Sequence, residues 1–205
     1  MANAVICVDL SHYQRGFNFQ EFKDGGGLGV ILKASEGSFR DPDYSTFWDQ
    51  AMDANLAVAS YHFLRPGDMT AQAKSFLNVV KPRQGERVVA DHEIAGVTLD
   101  DLITFLQAIQ DSRPDLQLTV YSGHLIKEQL GATRNDWLAD NTSLWIAQFT
   151  TQPKPSWPTA TWPTWSLWQH TDSGMAPGYS NPLDCDRFHG SANNFLKWMG
   201  PVASA

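Results

Sequence analysis

Val88-Val-Ala-Asp-His-Glu93 is the stretch from which the fold of this chain can be worked out. Its first three residues are apolar, which is typical of a short buried strand. Successive side chains of an extended backbone alternate, so Asp91 and Glu93 project to one side, roughly 6 to 7 Å apart, and His92 faces the other. The stretch therefore predicts a buried strand that carries two carboxylates at its C-terminal end.

Short apolar runs of the same kind recur along the chain. They occupy residues 5–8, 30–32, 57–59, 88–90, 116–120, 144–147, 166–168 and 183–188. Between the early runs lie segments with the apolar spacing of helices: one follows Pro42, a second ends at Pro82, and a third begins at Thr98 as its N-cap. A first half that alternates strand and helix predicts a parallel sheet with right-handed crossovers.

The pattern changes after residue 147. Residues 150–165 contain four prolines and show no helical period, and residues 171–182 are also predicted to be a loop. A linker to a second domain is the alternative for the proline-rich segment, but the roughly 40 residues beyond it are too few for a core of their own. About eight strands, five followed by helices and three joined by loops, predict an α/β fold: an irregular, TIM-like barrel in which residues 1–205 form a single domain. A short helix over residues 193–199 is expected to close it.

The composition limits the function. The chain has 205 residues, with 22 acidic and 15 basic side chains and a net charge of −7. Duplex binding draws its affinity from Lys and Arg set against phosphates, so this acidic chain is a poor candidate for a nucleic-acid binder. Because it shows neither a secretory signal nor an apolar stretch of about 18 residues, we expect synthesis in the cytoplasm and no membrane insertion. Cys7 and Cys185 are expected to be free thiols, with a disulfide between them as the alternative.

Polar side chains follow nearly every apolar run. In a parallel barrel the C-terminal ends of the strands converge on one face, where the active sites of such folds lie. A solvated loop acid is the simpler interpretation of any one of these residues, but the repetition over seven strands favours a shared pocket. The set comprises Asp9, Lys33, Glu36, Tyr61, His62, Asp91, Glu93, Tyr121, Gln169, Asp184 and Asp186.

Asp91 and Glu93 are the candidates for catalysis. Glycoside hydrolysis uses a pair of carboxyl groups on one face of a pocket: one stays protonated to donate to the leaving oxygen, and another group stabilises the positive charge at the sugar carbon. We expect the charges of Asp9, Glu36 and Asp184 to raise the pKa of the least solvated acid, which we take to be Glu93.

No metal or cofactor is expected. In a zinc protease motif built on His92 and Glu93, the second histidine would fall at Gly96. The six histidines show no ligand spacing, and the chain has no glycine-rich nucleotide-binding pattern and no nucleophile elbow.

Tryptophans form a second cluster. Eight occur in the chain, and six of them fall within residues 137–168: Trp137, Trp145, Trp157, Trp162, Trp165 and Trp168. Core packing is an equal alternative for those in the strand runs. For the three on the proline-rich segment we favour stacking on sugar rings, with a loop packed on itself as the alternative.

Taken together, these residues resemble glycoside hydrolase family 25, the muramidase lysozymes of bacteria and their phages. The matching segments run nearly from end to end: Asp9-x-Ser-x-Tyr-Gln14, Leu32-Lys-Ala-Ser-Glu-Gly37, Ala59-Ser-Tyr-His-Phe63 followed by Arg65, Asp91-x-Glu93, Tyr121, Leu144-Trp-Ile-Ala147, Trp168-Gln169 and Asp184-x-Asp-x-Phe-x-Gly190. The resemblance implies a (β/α)5(β)3 barrel. It also implies cleavage of the β-1,4 bond between N-acetylmuramic acid and N-acetylglucosamine in peptidoglycan.

The resemblance implies residue roles as well. Glu93 would be the general acid/base, and Asp9, Asp91 and Asp184 would be the other catalytic carboxylates. The expected substrate-binding residues are Lys33, Glu36, Tyr61, Tyr121, Trp145, Trp168, Gln169 and Asp186. There are two small departures from the family pattern: Asp186 stands where Asn is usual, and Phe17 and Phe19 stand near Tyr13 in place of a common Trp.

Two mechanisms are open. Either a second carboxylate attacks the anomeric carbon, or the 2-acetamido group of the substrate attacks with Asp91 positioning it; we favour the second. A chitinase-type hydrolase is the nearest alternative enzyme, but its signature would need Asp at positions 86 and 89, which are Glu86 and Val89. A wall-binding module that has lost catalysis is the alternative from another class.

The expected partner is the glycan strand of bacterial peptidoglycan. The length of the chain leaves no room for a separate wall-binding domain, so we expect a monomeric, phage-type endolysin that reaches the wall through a holin or on lysis. A toxin delivered by a secretion system is the alternative route.

Overall fold

The computed structural model describes residues 6–201. Their strands are β1 (Cys7–Leu10), β2 (Gly29–Glu36), β3 (Phe39–Arg40), β4 (Ala57–Phe63), β5 (Arg87–Asp91), β6 (Gln117–Ser122), β7 (Thr142–Ala147), β8 (Leu167–Gly174) and β9 (Leu183–Phe188). Their helices are α1 (Phe19–Asp24), α2 (Tyr44–Asp53), α3 (Met69–Val80), α4 (Leu99–Ser112), α5 (His124–Leu130), α6 (Asp136–Asn141) and α7 (Ala192–Met199). Val5, which opens the first predicted run, lies outside the described residues.

Eight of these strands close into a barrel. β1, β2, β4, β5, β6, β7 and β8 pair in parallel in that order, and β9 closes the ring by pairing antiparallel with both β8 and β1. Among the strands named above, the short β3 pairs only with the end of β2. Helices follow the first five barrel strands, whereas loops follow β7 and β8. The predicted (β/α)5(β)3 barrel is confirmed.

Local signals place the helices. Thr98 caps α4 through a capping box in which Asp101 returns the hydrogen bond, as its predicted N-cap role requires. Lys81 ends α3 in the left-handed region, immediately before Pro82. The predicted helices are thus confirmed as α2, α3, α4 and α7, and the sequence reading did not single out the short α1, α5 and α6.

The core has two layers. Inward-facing side chains of the strands fill the barrel, and Trp145 is the bulkiest of them. Phe195 and Met199 of α7 pack against these side chains and close one end of the barrel. The opposite faces of the same strands pack against the helices in the larger cluster. Cys7 belongs to the inner layer and Cys185 to the outer one, so the two thiols face away from each other, and both are free.

The direction of β9 corrects one expectation. We expected every polar group to follow its strand at the C-terminal end, but Asp184 is the second residue of β9. Because β9 runs against its neighbours, its beginning lies at the same end of the barrel as the C-terminal ends of the parallel strands. Asp184 therefore reaches the shared face from the opposite direction.

β8 is also longer than predicted. The segment expected to be a loop from residue 171 continues the strand to Gly174 and forms a hairpin with β9, with Thr171 opposite Cys185. Residues 171–174 carry no apolar pattern because Asp172 and Ser173 are exposed and Thr171 and Gly174 are only half-buried. Gly174 is required by close packing, since a Cβ at this position would lie 2.3 Å from Cys185 Sγ.

The tryptophans of the proline-rich segment pack inward. Trp162 and Trp165 are buried against the barrel and its helices, and Trp157 is partly buried and donates from Nε1 to the carbonyl of Trp162 at 3.0 Å. Trp162 in turn donates to Thr142 Oγ1 at 3.1 Å. Our preference for sugar stacking is wrong for Trp162 and Trp165, which are packed into the loop and the core, and for Trp157 it stays a prediction.

Candidate active site

A pocket of about 340 Å³ opens at the end of the barrel where the parallel strands terminate. It contains nine of the residues predicted for the site: Asp9, Lys33, Tyr61, Asp91, Glu93, Tyr121, Trp145, Gln169 and Asp184. A further depression of about 580 Å³ lies between α1 and α2, but it contains none of these carboxylates. The predicted convergence of strand ends thus brings both members of the Asp91–Glu93 pair and two further carboxylates into one space.

Hydrogen bonds fix one wall of the pocket. Tyr121 donates from its hydroxyl to Gln169 Oε1 at 2.8 Å, and Gln169 donates from Nε2 to Asp9 Oδ2 at 2.9 Å. Trp145 meets Tyr121 edge to face, with ring centroids 4.5 Å apart, and donates from Nε1 to Asp186 Oδ1 at 2.7 Å. Asp9 is therefore held by a donor whose orientation is set by a second bond.

Asp91 and Glu93 differ in exposure. Asp91 ends β5 and is 5% exposed, and its Oδ1 has no hydrogen-bond partner among the described residues. Burial, followed by the charge of Glu93, raises its pKa well above the usual range. Glu93 is the more exposed of the two, so our expectation that it is the least solvated acid is wrong. Its pKa is nevertheless raised, because partial burial and the charge of Asp184 outweigh the nearby Lys33.

The turn between these acids is anchored from behind. His92 is buried on the helix side, as its alternation with Asp91 and Glu93 predicts, and its Nε2 lies 2.8 Å from Gln129 Oε1. Because an amide oxygen only accepts, Nε2 carries the proton. The backbone N–H of His92 donates to the carbonyl of Tyr121 at 2.8 Å. These bonds hold the two flanking carboxylates toward the pocket.

Asp9 and Asp184 face the pocket from β1 and β9. Burial and the charge of Asp184 raise the pKa of Asp9, and the hydrogen bond from Gln169 opposes that rise. Burial raises the pKa of Asp184 to about 6. Burial and mutual repulsion thus shift the titration of both carboxyl groups to higher pH, as is common at functional sites.

Glu36 forms ion pairs beside the pocket. Lys33 Nζ lies 2.5 Å from Glu36 Oε2, and Arg65 donates from Nε to Oε1 at 2.8 Å. Burial alone would raise the pKa of Glu36, but these two hydrogen bonds outweigh it and the pKa is lowered. Glu36 is therefore paired with cations beside the pocket, and its charge still contributes to the raised pKa of Glu93, as expected. Lys33 and Arg65 also lie over Phe63, 5.0 and 4.9 Å from the ring centre.

Two other predicted residues lie behind the pocket wall. Trp168 is buried on the outer face of β8 and donates from Nε1 to the carbonyl of Gln148 at 2.7 Å. Asp186 is buried beneath the floor, against Trp145. The strand alternation of Trp168 with Gln169 is the signal that could have placed its indole outside the barrel.

Several residues at the pocket were not predicted to be part of it. Phe149 and Tyr13 are exposed aromatic side chains on its rim, and Ser11, Gln14 and Phe63 complete the lining. Phe63 could have been found from its position two residues after Tyr61 on β4. Phe149 follows β7 by two residues, but it lies in a segment without strand spacing.

Within residues 6–201, no cluster of three or more His, Cys, Asp or Glu side chains is arranged to hold a metal ion. Among the helices of the same part of the chain, none is long and apolar enough to cross a membrane.

A (β/α)5(β)3 barrel with acids of raised pKa gathered at its mouth has the architecture and chemistry of the barrel glycoside hydrolases. Residues 8–179 match the family model of Glycosyl hydrolases family 25. The chain belongs to this family, and it is a glycoside hydrolase. The resemblance read from the sequence is confirmed.

Relatives and solved structures agree with this assignment. The chain is 28% identical to the autolytic lysozyme of Clostridium acetobutylicum over 187 aligned positions, with coverage of 88% of this chain and 55% of that protein. It is 24% identical to lysozyme M1 of Streptomyces globisporus over 208 residues, covering 92% of this chain and 69% of the relative. The bacterial lysozyme from Streptomyces coelicolor has the same fold, with a TM-score of 0.81, 24% identity, and coverage of 97% of this chain and 98% of that one.

Proposed function

We propose that this chain is a peptidoglycan hydrolase of the lysozyme type, which cleaves the β-1,4 bond between N-acetylmuramic acid and N-acetylglucosamine. The observation that carries the proposal is the juxtaposition of Asp91 and Glu93 with Asp9 and Asp184 in one pocket of about 340 Å³. Membership in a glycoside hydrolase family supports it, and so do the relatives named as lysozymes.

Glu93 is proposed as the general acid/base. Its pKa is raised by partial burial, so a proton is available for the leaving oxygen, and its exposed position at the rim lets it reach a glycosidic bond lying across the pocket. Asp91 lies deeper on the same strand end, where it faces the part of the sugar that enters the pocket.

In the route we favour, the 2-acetamido oxygen of the substrate attacks the anomeric carbon as the glycosidic C–O bond breaks, and Glu93 gives its proton to the leaving oxygen. Asp91 accepts a hydrogen bond from the acetamido N–H and balances its developing positive charge. Water then attacks the same carbon while Glu93 takes back a proton, so the configuration is retained. An inverted product, seen by NMR on a defined peptidoglycan oligomer, would contradict both this route and the carboxylate-nucleophile alternative.

Substrate contacts are proposed for the side chains that line the pocket. Asp9 and Asp184 would stabilise the charge that develops at the sugar, and the aromatic walls would bind its apolar faces. The proposed contact residues are Lys33, Tyr61, Tyr121, Trp145 and Gln169, with Glu36 acting through its contact to Lys33. Trp168 and Asp186 would support this wall from behind.

Substitution of the proposed acid tests the assignment. Glu93→Gln keeps the shape of the side chain but carries no acid, so clearing of a peptidoglycan suspension should stop while sedimentation with the walls persists. Normal clearing by this variant would contradict the role of Glu93. A native chain that sediments with walls but never clears them would favour the inactive binding module.

We further propose that residues 1–205 act as one catalytic domain and as a monomer; the first part is supported by the pocket, whose lining comes from the strands and loops of one closed barrel. Peptidoglycan lies outside the cytoplasmic membrane, and we propose release through a holin or on lysis, as for an endolysin. Cell fractionation that finds the protein exported in the absence of lysis genes would contradict this route.

A further inference from the structure

Asp186 lies beneath the pocket and is the most confined carboxyl group near it. The residue is 2% exposed, and its Oδ1 accepts the hydrogen bond from Trp145 Nε1 at 2.7 Å. Its Oδ2 is shielded from solvent and has no hydrogen-bond partner in residues 6–201. A carboxylate buried with a single neutral donor is costly, whereas the protonated acid is far less so.

The surroundings of Asp186 add negative charge. Its acidic neighbours are Asp9 of β1 and Asp184 of its own strand. Cys7, Tyr121 and Cys185 also lie near it, with Cys185 on the outer face of β9, and they are uncharged because their own pKa values are raised. Trp145 of β7 and Gln169 of β8 are further uncharged neighbours. Burial and then the charge of Asp9 raise the pKa of Asp186, and the bond from Trp145 offsets only part of this.

We propose that Asp186 is a positioning residue that works as an uncharged carboxylic acid. Its Oδ1 holds the indole of Trp145 in the pocket floor, and its retained proton keeps a further negative charge away from Asp9 and Asp184. When Asp186 releases that proton to solvent at higher pH, the added charge disturbs the carboxylates above it. Loss of this proton thereby lowers the activity of the enzyme at alkaline pH.

The consequence for stability has a definite sign. An acid whose pKa is higher in the folded chain than in the unfolded chain binds its proton more tightly when folded. Its contribution to stability is therefore full at low pH and falls as the pH rises from about 4 through the folded pKa. Asn at this position has no proton to lose, so it lacks this part of the pH dependence.

The test is Asp186→Asn, which keeps the size of the side chain and an oxygen that accepts from the indole. Unfolding by urea is followed from pH 4 to pH 9, and activity on peptidoglycan is followed over the same range. We expect the stability of the variant relative to the native chain to rise with pH, and the alkaline limb of activity to move upward by about one pH unit or more. Any cost of the unpaired amide is the same at every pH, so the pH dependence is compared and not the absolute stability. Asp49→Asn, on the exposed face of α2, is the matched control and should follow the native chain.

If the alkaline limb of the activity profile is the same in Asp186→Asn as in the native chain, the positioning role is overturned. If the difference in stability between the two chains does not change with pH, the retained proton is overturned. The activity measurement rests on the proposed function, whereas the unfolding measurement needs no substrate. If the native chain is inactive on peptidoglycan, the proposed function is refuted, and the unfolding measurement still decides whether Asp186 retains its proton. If Asp186→Asn does not fold, the native chain is titrated by NMR instead. The indole N–H resonance of Trp145, assigned by its absence in Trp145→Phe, should shift in a single step at alkaline pH as Asp186 loses its proton. No such shift overturns the proposal.

Discussion

Gln169 and Asp9 are joined by a hydrogen bond of 2.9 Å from the amide Nε2 to Oδ2. The oxygen of the same amide accepts from Tyr121 at 2.8 Å, so turning the amide over would lose the donation to Asp9 and reverse the bond to Tyr121. Burial raises the pKa of Asp9, and this donor acts in the opposite direction by favouring the charged form. The wall of the pocket thus sets both the orientation and the charge of one carboxylate.

Gln169→Leu should lower kcat on the order of 10²-fold, because Asp9 loses the hydrogen bond from Gln169 and moves from its working position. The pKa of Asp9 should rise further, so the acid limb of the activity profile should move to higher pH. Rates measured from pH 3 to pH 8 decide this, with Gln107→Leu on the exposed face of α4 as the control. An acid limb unchanged in Gln169→Leu would show that the bond does not tune Asp9.

Trp145→Phe should destabilise the chain by about 2 kcal/mol. The change leaves Asp186 Oδ1 without its donor and opens a space in the barrel interior. Urea unfolding at pH 5 measures the loss. Trp137→Phe is the control, since that indole is only partly buried and makes no side-chain hydrogen bond within the described part of the chain. Equal losses in the two variants would argue against the Trp145–Asp186 bond.

Asp91→Asn should separate stability from activity. Burial raises the pKa of Asp91 in the folded chain, so the native protein loses stability as the pH rises above about 4, and the uncharged variant does not. We expect the variant to be more stable than the native chain at pH 8 and similar to it at pH 3. Its turnover should fall on the order of 10²-fold or more, because Asp91 is proposed to position the acetamido group. Thermal unfolding at the two pH values checks the first part, and a variant less stable at pH 8 would contradict it.

Gly174→Ala should destabilise the β8–β9 hairpin. The added Cβ would lie 2.3 Å from Cys185 Sγ, and overpacking of this kind costs about 1 to 3 kcal/mol. Cys185→Ala removes the sulfur that the new Cβ would meet. Adding Gly174→Ala to Cys185→Ala should therefore destabilise the chain much less than adding Gly174→Ala to the native chain. A double variant with no recovery would mean that the two side chains do not meet.

The sequence predicts the parallel part of the barrel well because each strand there repeats one local pattern, an apolar run followed by a polar residue. It does not predict the direction of β9, since antiparallel pairing depends on contacts with β1 and β8 that lie far away in the chain. Asp184 was still assigned to the pocket, but for the wrong geometric reason. Local sequence patterns are sufficient to predict a strand and the helix that follows it. They do not predict the direction of the strand that closes the barrel.

The environments of the individual carboxyl groups could not be predicted from local sequence patterns either. The pattern places Glu93 and Glu36 near the same space, but only the structure shows that Arg65, 29 residues further along the chain than Glu36, pairs with it. It also shows that Asp91 is more buried than Glu93. Exposure and ion pairing depend on neighbours distant in sequence, and these neighbours determine which carboxyl keeps its proton.

The bond that is cut tests the central claim most directly. Purified peptidoglycan digested with the native chain, reduced with borohydride and hydrolysed, should yield reduced muramic acid as the new chain end, with matching masses of the released muropeptides. The Glu93→Gln variant, treated in the same way, should yield none above the undigested sample. New ends of reduced glucosamine, or no new ends at all from the native chain, would contradict the proposal that this pocket is the site of a muramidase.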